Sequence, residues 1–165
     1  MTTKNFISQV LMVELKSLLN EKDINNFPKY RYHAFILISI GIEFLGAAID
    51  KYGWFSGSKS RKRFNRAITQ YKSLQKYNNK KIFENLRCGM AHVYVLNGGV
   101  GINMKSEGGL HNKINNGKLL LTIEYFFEDF ILACQELIDN IDGNKKTLPI
   151  SNKVYKDFLY IPQDK

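Results

Sequence analysis

The sequence predicts a mainly α fold: an antiparallel bundle of about five helices with a small β-hairpin inserted before the last long helix. Three observations predict it. Apolar residues recur at three- and four-residue steps through most of the chain, which is the period of a helix with one buried face. The one stretch that alternates instead contains Asn116-Gly117, and Asn-Gly between extended runs is the strongest short-range hairpin signal. The 165 residues, 44% hydrophobic and 24% charged, suit one domain around one core. That domain is expected over residues 1–142 with the hairpin at about 99–123, and residues 143–165 form a tail that docks on the body.

The elements follow in order. Phe6, Val10, Leu11, Val13, Leu15, Leu18 and Leu19 mark a first amphipathic helix over residues 4–20, and "NEKDINNFPKY" after it supplies polar and Pro punctuation. A second helix runs from about Tyr30 to residue 51 and is apolar almost all the way round, so it is central. Its exception is a narrow polar stripe of Tyr32, Ser39, Glu43, Gly46 and Asp50, which faces either water or a polar cleft. Gly53 and Gly57 break that helix, and a Ser at 58 or 60 caps a third one to about Tyr77, with Phe64, Ala67, Ile68, Tyr71 and Leu74 inward. A fourth helix at about 79–93 turns Ile82, Phe83, Leu86, Met90 and Val93 to the core. After the hairpin, the helical step returns from Ile123 through Phe126, Phe130, Cys134, Leu137 and Ile141 until Gly143 ends it. Val154, Phe158, Leu159 and Ile161 are the apolar contacts expected of the tail.

The net charge is +9, and the third helix carries most of it. Lys59, Arg61, Lys62, Arg63, Arg66, Lys72, Lys76, Lys80 and Lys81 follow one another with no acid between Asp50 and Glu84. Such a segment makes a local positive field that favours a polyanion, nucleic acid being the commonest, or it is a solvated helix face. The nucleic-acid reading assigns contacts to Lys59, Arg61, Lys62, Arg63, Arg66 and Lys72. Trp54 and Phe55 just before it either stack on unpaired bases or anchor the loop.

Other chemistries find no support. The apolar run at 34–42 is closed by Glu43, well short of the roughly 20 residues that cross a bilayer. The N-terminal segment mixes Lys4, Glu14 and Lys16 into its apolar positions, so a cytoplasmic location without a signal peptide is expected. Cys88 and Cys134 lie in helical patterns with no second thiol or histidine at ligand spacing, and read as small core residues. There is no Gly-rich phosphate loop followed by Lys and Ser or Thr, and neither metal nor cofactor is expected. Of the three histidines, His33 reads as partly buried and His111 as exposed in the hairpin.

His92 differs, because Arg87 precedes it by five positions in "LRCGMAH", residues 86–92. A histidine near neutrality can take a proton from a ribose 2′-hydroxyl, and an arginine can bind phosphate and steady the charge of the transition state. Those parts suffice to cut RNA without a metal. Around an ideal helix the two residues lie about 140° apart, so convergence needs a distorted helix, an early helix end or a two-fold dimer.

The run "LRCGMAH" resembles the Arg-x4-6-His motif of the HEPN superfamily of small helical-bundle domains. The resemblance covers residues 4–142 by arrangement, and only the short motif within it is specific. It implies a metal-independent endoribonuclease of a toxin, defence or RNA-processing system, a site shared across a homodimer, and an antitoxin as a possible protein partner. Catalytic roles then fall to Arg87 and His92, with Glu43 of the apolar second helix holding one of them in position. Active members usually have a polar residue after the arginine, where this chain has Cys88. That departure keeps open the alternative, a catalytically inactive module that binds a nucleotide, an RNA or a protein.

Overall fold

The computed structural model describes residues 1–78, 82–89 and 98–156. It is mainly helical with a small three-stranded sheet. Helix α1 occupies residues 3–20, starting at the Thr2 side chain, which caps the Asn5 N–H. Its middle, Phe6–Glu14, is wound in wider π-type turns before ordinary turns resume at Leu15–Asn20. Ile7, Leu15 and Leu19 are its buried side chains among the apolar positions.

Helix α2, Arg31–Ala48, is the centre of the molecule. It packs along α3 (Ser60–Gln70) and against α1, α4 (Phe83–Cys88) and α5 (Ile123–Ile141). By length and composition alone α2 could cross a membrane, yet Ala34, Phe35, Ile38, Ile42 and Leu45 have no exposed surface in the fold. Close approach of α2 to α3 depends on Gly46, where a Cβ would lie 1.8 Å from the Arg63 carbonyl oxygen.

The third helix is shorter than its apolar period suggests. It ends at Gln70, Tyr71 turns extended, and Lys72–Tyr77 continues as a 3₁₀ turn. The Thr69 hydroxyl donates back to the Asn65 and Arg66 carbonyls, a local bond that competes with the helix. Beyond it the buried Tyr71 hydroxyl donates to the Leu45 carbonyl at 3.0 Å and Ser73 to the Asp129 carbonyl at 2.7 Å. These tertiary bonds use groups that a straight helix would carry past them. In α4, Phe83–Cys88 is again wide-turned, with Ile82, Phe83 and Leu86 buried. Lys80, Lys81, Met90, His92 and Val93 lie outside the described residues.

The hairpin is present as β2 (Lys113–Asn115) and β3 (Lys118–Thr122), antiparallel, with Asn115 opposite Lys118. Asn116 and Gly117 both take positive φ, 46° and 74°, the two left-handed conformations that a type I′ turn needs. The alternating stretch before the hairpin, expected to join it in an antiparallel sheet, forms β1 (Val100–Asn103), which instead pairs parallel with β3 and gives the order β1-β3-β2. It covers the edge that the hairpin alone would leave open beside the buried Leu119 and Leu121.

Helix α5, Ile123–Ile141, follows β3 directly and stacks Phe126 on Phe35 at 5.8 Å between ring centres. Gly143, at φ 76°, ends the helical stretch as the period implies. The tail then docks: Leu148 and Val154 are buried, and the Ser151 N–H reaches the Ala48 carbonyl at the end of α2. Asn140 holds its start by accepting the Thr147 and Leu148 N–H groups. Phe158, Leu159 and Ile161 lie outside the described residues.

Candidate functional site

Glu43 sits on α2 between the buried Ile42 and the half-buried Phe44, so its carboxylate emerges at the margin of the core. Arg87, in the last wide turn of α4, donates to one oxygen of it from Nε at 3.1 Å and from Nη2 at 2.9 Å. Both side chains are mostly shielded, 16% and 21% exposed. Two of the five guanidinium N–H donors therefore point at Glu43, which fixes the plane of the group and balances its charge. Chemically, the pair is a positioned guanidinium that could meet an anionic phosphate. His92, the expected third member, lies outside the described residues. Cys88 beside Arg87 is a half-buried free thiol.

The rest of the polar stripe on α2 is mostly buried. Ser39 is buried and donates to the Phe35 carbonyl at 2.7 Å. Gly46 is the contact point with α3, and Asp50 is 4% exposed. Arg63 Nε donates to Asp50 at 2.7 Å and Lys153 Nζ donates to its other oxygen at 2.6 Å. Burial opposes ionisation of Asp50, but these bonds outweigh it and hold the carboxyl below the usual range. Only Tyr32 of the stripe faces solvent. A helix with charges in its buried margin thus meets countercharges from α3, α4 and the tail, and Asp50 at its end also lines a groove beside α3.

The six basic candidates divide accordingly. Arg63 is 6% exposed and spends its guanidinium on Asp50 and on the Gly53 and Trp54 carbonyls, so as a surface contact for nucleic acid it is corrected to a structural residue. Arg66 is exposed, anchored by one bond to the Ile49 carbonyl at 3.2 Å. Arg61 lies over the Phe83 ring and 3.4 Å from Glu84, both on the Arg87 helix. Lys72 is exposed. Lys59, Lys62 and Arg66 line one groove of about 740 Å³. Of the aromatic pair, Trp54 stacks on Phe44 at 4.9 Å and anchors the loop, while Phe55 is 88% exposed.

A second cluster escaped the sequence reading. His111 is not exposed: its side chain is 11% accessible. The Thr122 N–H donates to its Nδ1 at 3.1 Å, so the neutral ring carries its proton on Nε2, which faces the Tyr77 hydroxyl at 2.7 Å. Tyr77 in turn donates to Asp129 of α5, whose other oxygen meets Lys76 at 2.8 Å. Burial first, then the neighbouring carboxylate, pushes the Tyr77 phenol well up. Asp129 is penalised by burial, yet bonds from His111, Lys76 and Tyr77 keep its carboxyl below the usual range. This closed relay ties the loop before β2 to α5. A lone His beside Gly-Gly-Leu gives no local sign of it, because its partners lie 11, 18 and 34 positions away.

Among the described residues no group of three or more His, Cys, Asp and Glu could hold a metal ion. Comparison with protein-family models, with curated proteins and with solved structures gives no match to this chain.

Proposed function

We propose that the chain is a HEPN-like endoribonuclease of helical-bundle architecture that cuts RNA without a metal. The observation that carries the reading is the Arg87–Glu43 pair, a mostly shielded guanidinium aimed by a carboxylate from the apolar helix. Arg61, bridging α3 to Glu84 of the same helix, supports it by continuing the positive surface up to the Arg87 helix.

In this mechanism His92 takes the proton of a ribose 2′-hydroxyl, whose oxygen attacks the adjacent phosphorus. Arg87 binds the phosphoryl oxygens as charge builds on them, and the 5′-oxygen leaves with a proton supplied by an acid in the site. The products are a 2′,3′-cyclic phosphate and a free 5′-hydroxyl, and DNA is spared because it lacks the nucleophile. Glu43 is a positioning residue that acts through Arg87. Arg87 and His92 of two protomers share one cleft in a homodimer, which answers the wide angle between them on one helix. The setting is a cytoplasmic toxin, defence or RNA-processing system, with an antitoxin as the fitting protein partner.

The test is incubation with single-stranded and structured RNAs in a chelator, beside Arg87→Ala and His92→Ala. Loss of cleavage in both variants, with 2′,3′-cyclic ends from the unmodified protein, is expected. Full activity in both variants would overturn it.

A second reading is a catalytically silent module of the same architecture, favoured by one observation: Glu43 already balances the Arg87 charge across a helix contact, as a purely structural ion pair does. It predicts salt-sensitive RNA binding and intact RNA in the same assay.

A further inference from the structure

We infer that the groove along α3 is a seat for the phosphodiester backbone of a single nucleic-acid strand, gripped by Lys59, Lys62 and Arg66. The inference deepens the RNA reading above and rests on it for the class of polyanion. It concerns a surface separate from the Arg87–Glu43 pair.

The geometry is that of a charged rail. Lys59, Lys62 and Arg66 follow at steps of three and four, so they share one helix face at intervals of about 4.5 and 6 Å along the axis. The groove they line measures about 740 Å³, within the usual size of ligand clefts. Asn65 and Thr69 add neutral polar groups to the same wall.

The electrostatics point the same way. Among the described residues the only acid lining the groove is Asp50. It is already engaged by Arg63 and by Lys153, two cations for one anion. No carboxylate of the described residues lies within ion-pair distance of Lys59 or Lys62, and Lys59 lies instead 4.8 Å from the Tyr52 ring centre. Arg66 is held in place by the Ile49 carbonyl, which orders the side chain without neutralising it. The groove is therefore a positive channel whose cations Lys59, Lys62 and Arg66 have no carboxylate partner among the described residues. Tyr52, partly exposed at its edge, offers a ring face for an unpaired base, a sequence-tolerant contact typical of single-strand seats. An acidic peptide would want apolar anchoring as well, and Tyr52 and Pro149 are the only largely apolar residues on this lining.

The experiment is fluorescence anisotropy of a labelled, 2′-O-methylated oligouridylate, whose blocked 2′-oxygen prevents cleavage, titrated at several salt concentrations. Three phosphate contacts predict a slope of log K against log salt of about −2, and Lys59→Gln/Lys62→Gln should remove about 1.4 of it. Referred to about 1 M salt, that loss weakens binding at 50 mM roughly sixtyfold. Lys113→Gln/Lys118→Gln, the same charge change on the exposed hairpin, is the control and should keep the slope. Equal loss in both double variants overturns the seat, because a general positive field would explain it. Competition by polyglutamate as strong as by unlabelled oligonucleotide overturns the nucleic-acid assignment, and competition by inorganic phosphate at equal phosphate concentration overturns the polymeric one. A circular dichroism spectrum unchanged in each variant shows that folding is not the cause. Groove binding without RNA cleavage in the preceding assay would remove the enzyme reading alone, and cleavage with no loss in the lysine variant would remove this inference alone.

Discussion

Replacing Arg63 with alanine separates a structural cation from a ligand contact on the same helix. The side chain is 7% exposed, its Nε lies 2.7 Å from Asp50, and its two terminal nitrogens serve the Trp54 and Gly53 carbonyls at 2.8 and 2.6 Å. Breaking a buried ion pair by removing one partner costs about 3–5 kcal/mol, since it strands the other charge. Here Lys153 still faces Asp50 and the two carbonyls are near water, so the low end, about 3 kcal/mol, applies. For a chain of this length each kcal/mol moves the melting temperature by about 2–4 °C, which predicts a fall of about 6–12 °C. The assay is thermal unfolding followed by circular dichroism, with Lys62→Ala beside it, expected to stay within about 0.5 kcal/mol as an exposed substitution. An Arg63→Ala protein that melts within 2 °C of the parent, yet loses RNA affinity as Lys62→Ala does, would refute the structural assignment of Arg63.

Two further outcomes follow from the same region. Gly46→Ala should destabilise by about 1–3 kcal/mol or more, because its Cβ would sit 1.8 Å from the Arg63 carbonyl oxygen and 2.5 Å from the carbonyl carbon, backbone atoms that cannot swing away. A lower urea midpoint with unchanged m-value checks it, and an unchanged midpoint counts against so close a helix contact. Acid should also weaken the fold. Asp50 and Asp129 both ionise below their usual range when folded, so their stabilisation is complete above the unfolded carboxylate value, about 3.9, and is lost as pH falls through the lower folded values. Urea midpoints should therefore hold from neutrality to about pH 5 and drop below about pH 4, less steeply in Asp50→Asn. A midpoint flat down to pH 3 in the parent would show that neither carboxylate gains from its partners.

Much of the chain was legible because its elements are decided locally. The period of α5 and the polar break before α2 both reflect interactions within a few residues, as does the Asn116-Gly117 turn, and the structure repeats them. The errors occur where distant groups intervene. The third helix stops at Gln70 because Tyr71 and Ser73 find partners on α2 and α5, 26 and 56 positions away. The alternation at β1 announces an extended run, but its parallel direction is set by pairing with β3, whose residues lie 19 positions on (Val100 opposite Leu119). His111 looked exposed because nothing near it in sequence announces Tyr77 or Asp129.

The two acids of α2 show where legibility ends and why. A carboxylate within an otherwise buried helix demands a countercharge, since leaving it unpaired in the core margin is costly. That demand is visible in the sequence at Glu43 and at Asp50, but for Glu43 the resemblance left Arg87 or His92 as the partner, and the fold pairs it with Arg87. The supplier is not visible in the same way. Asp50 draws on Arg63, 13 positions on, and Lys153, 103 positions on, whereas Lys59 and Lys62, equally basic and on the same helix, supply nothing to it. Charge composition makes all of α3 look like one binding face, but the internal acids select among its cations. What they leave unclaimed, Lys59 and Lys62 above all, is the part of the +9 charge that remains available to a polyanion.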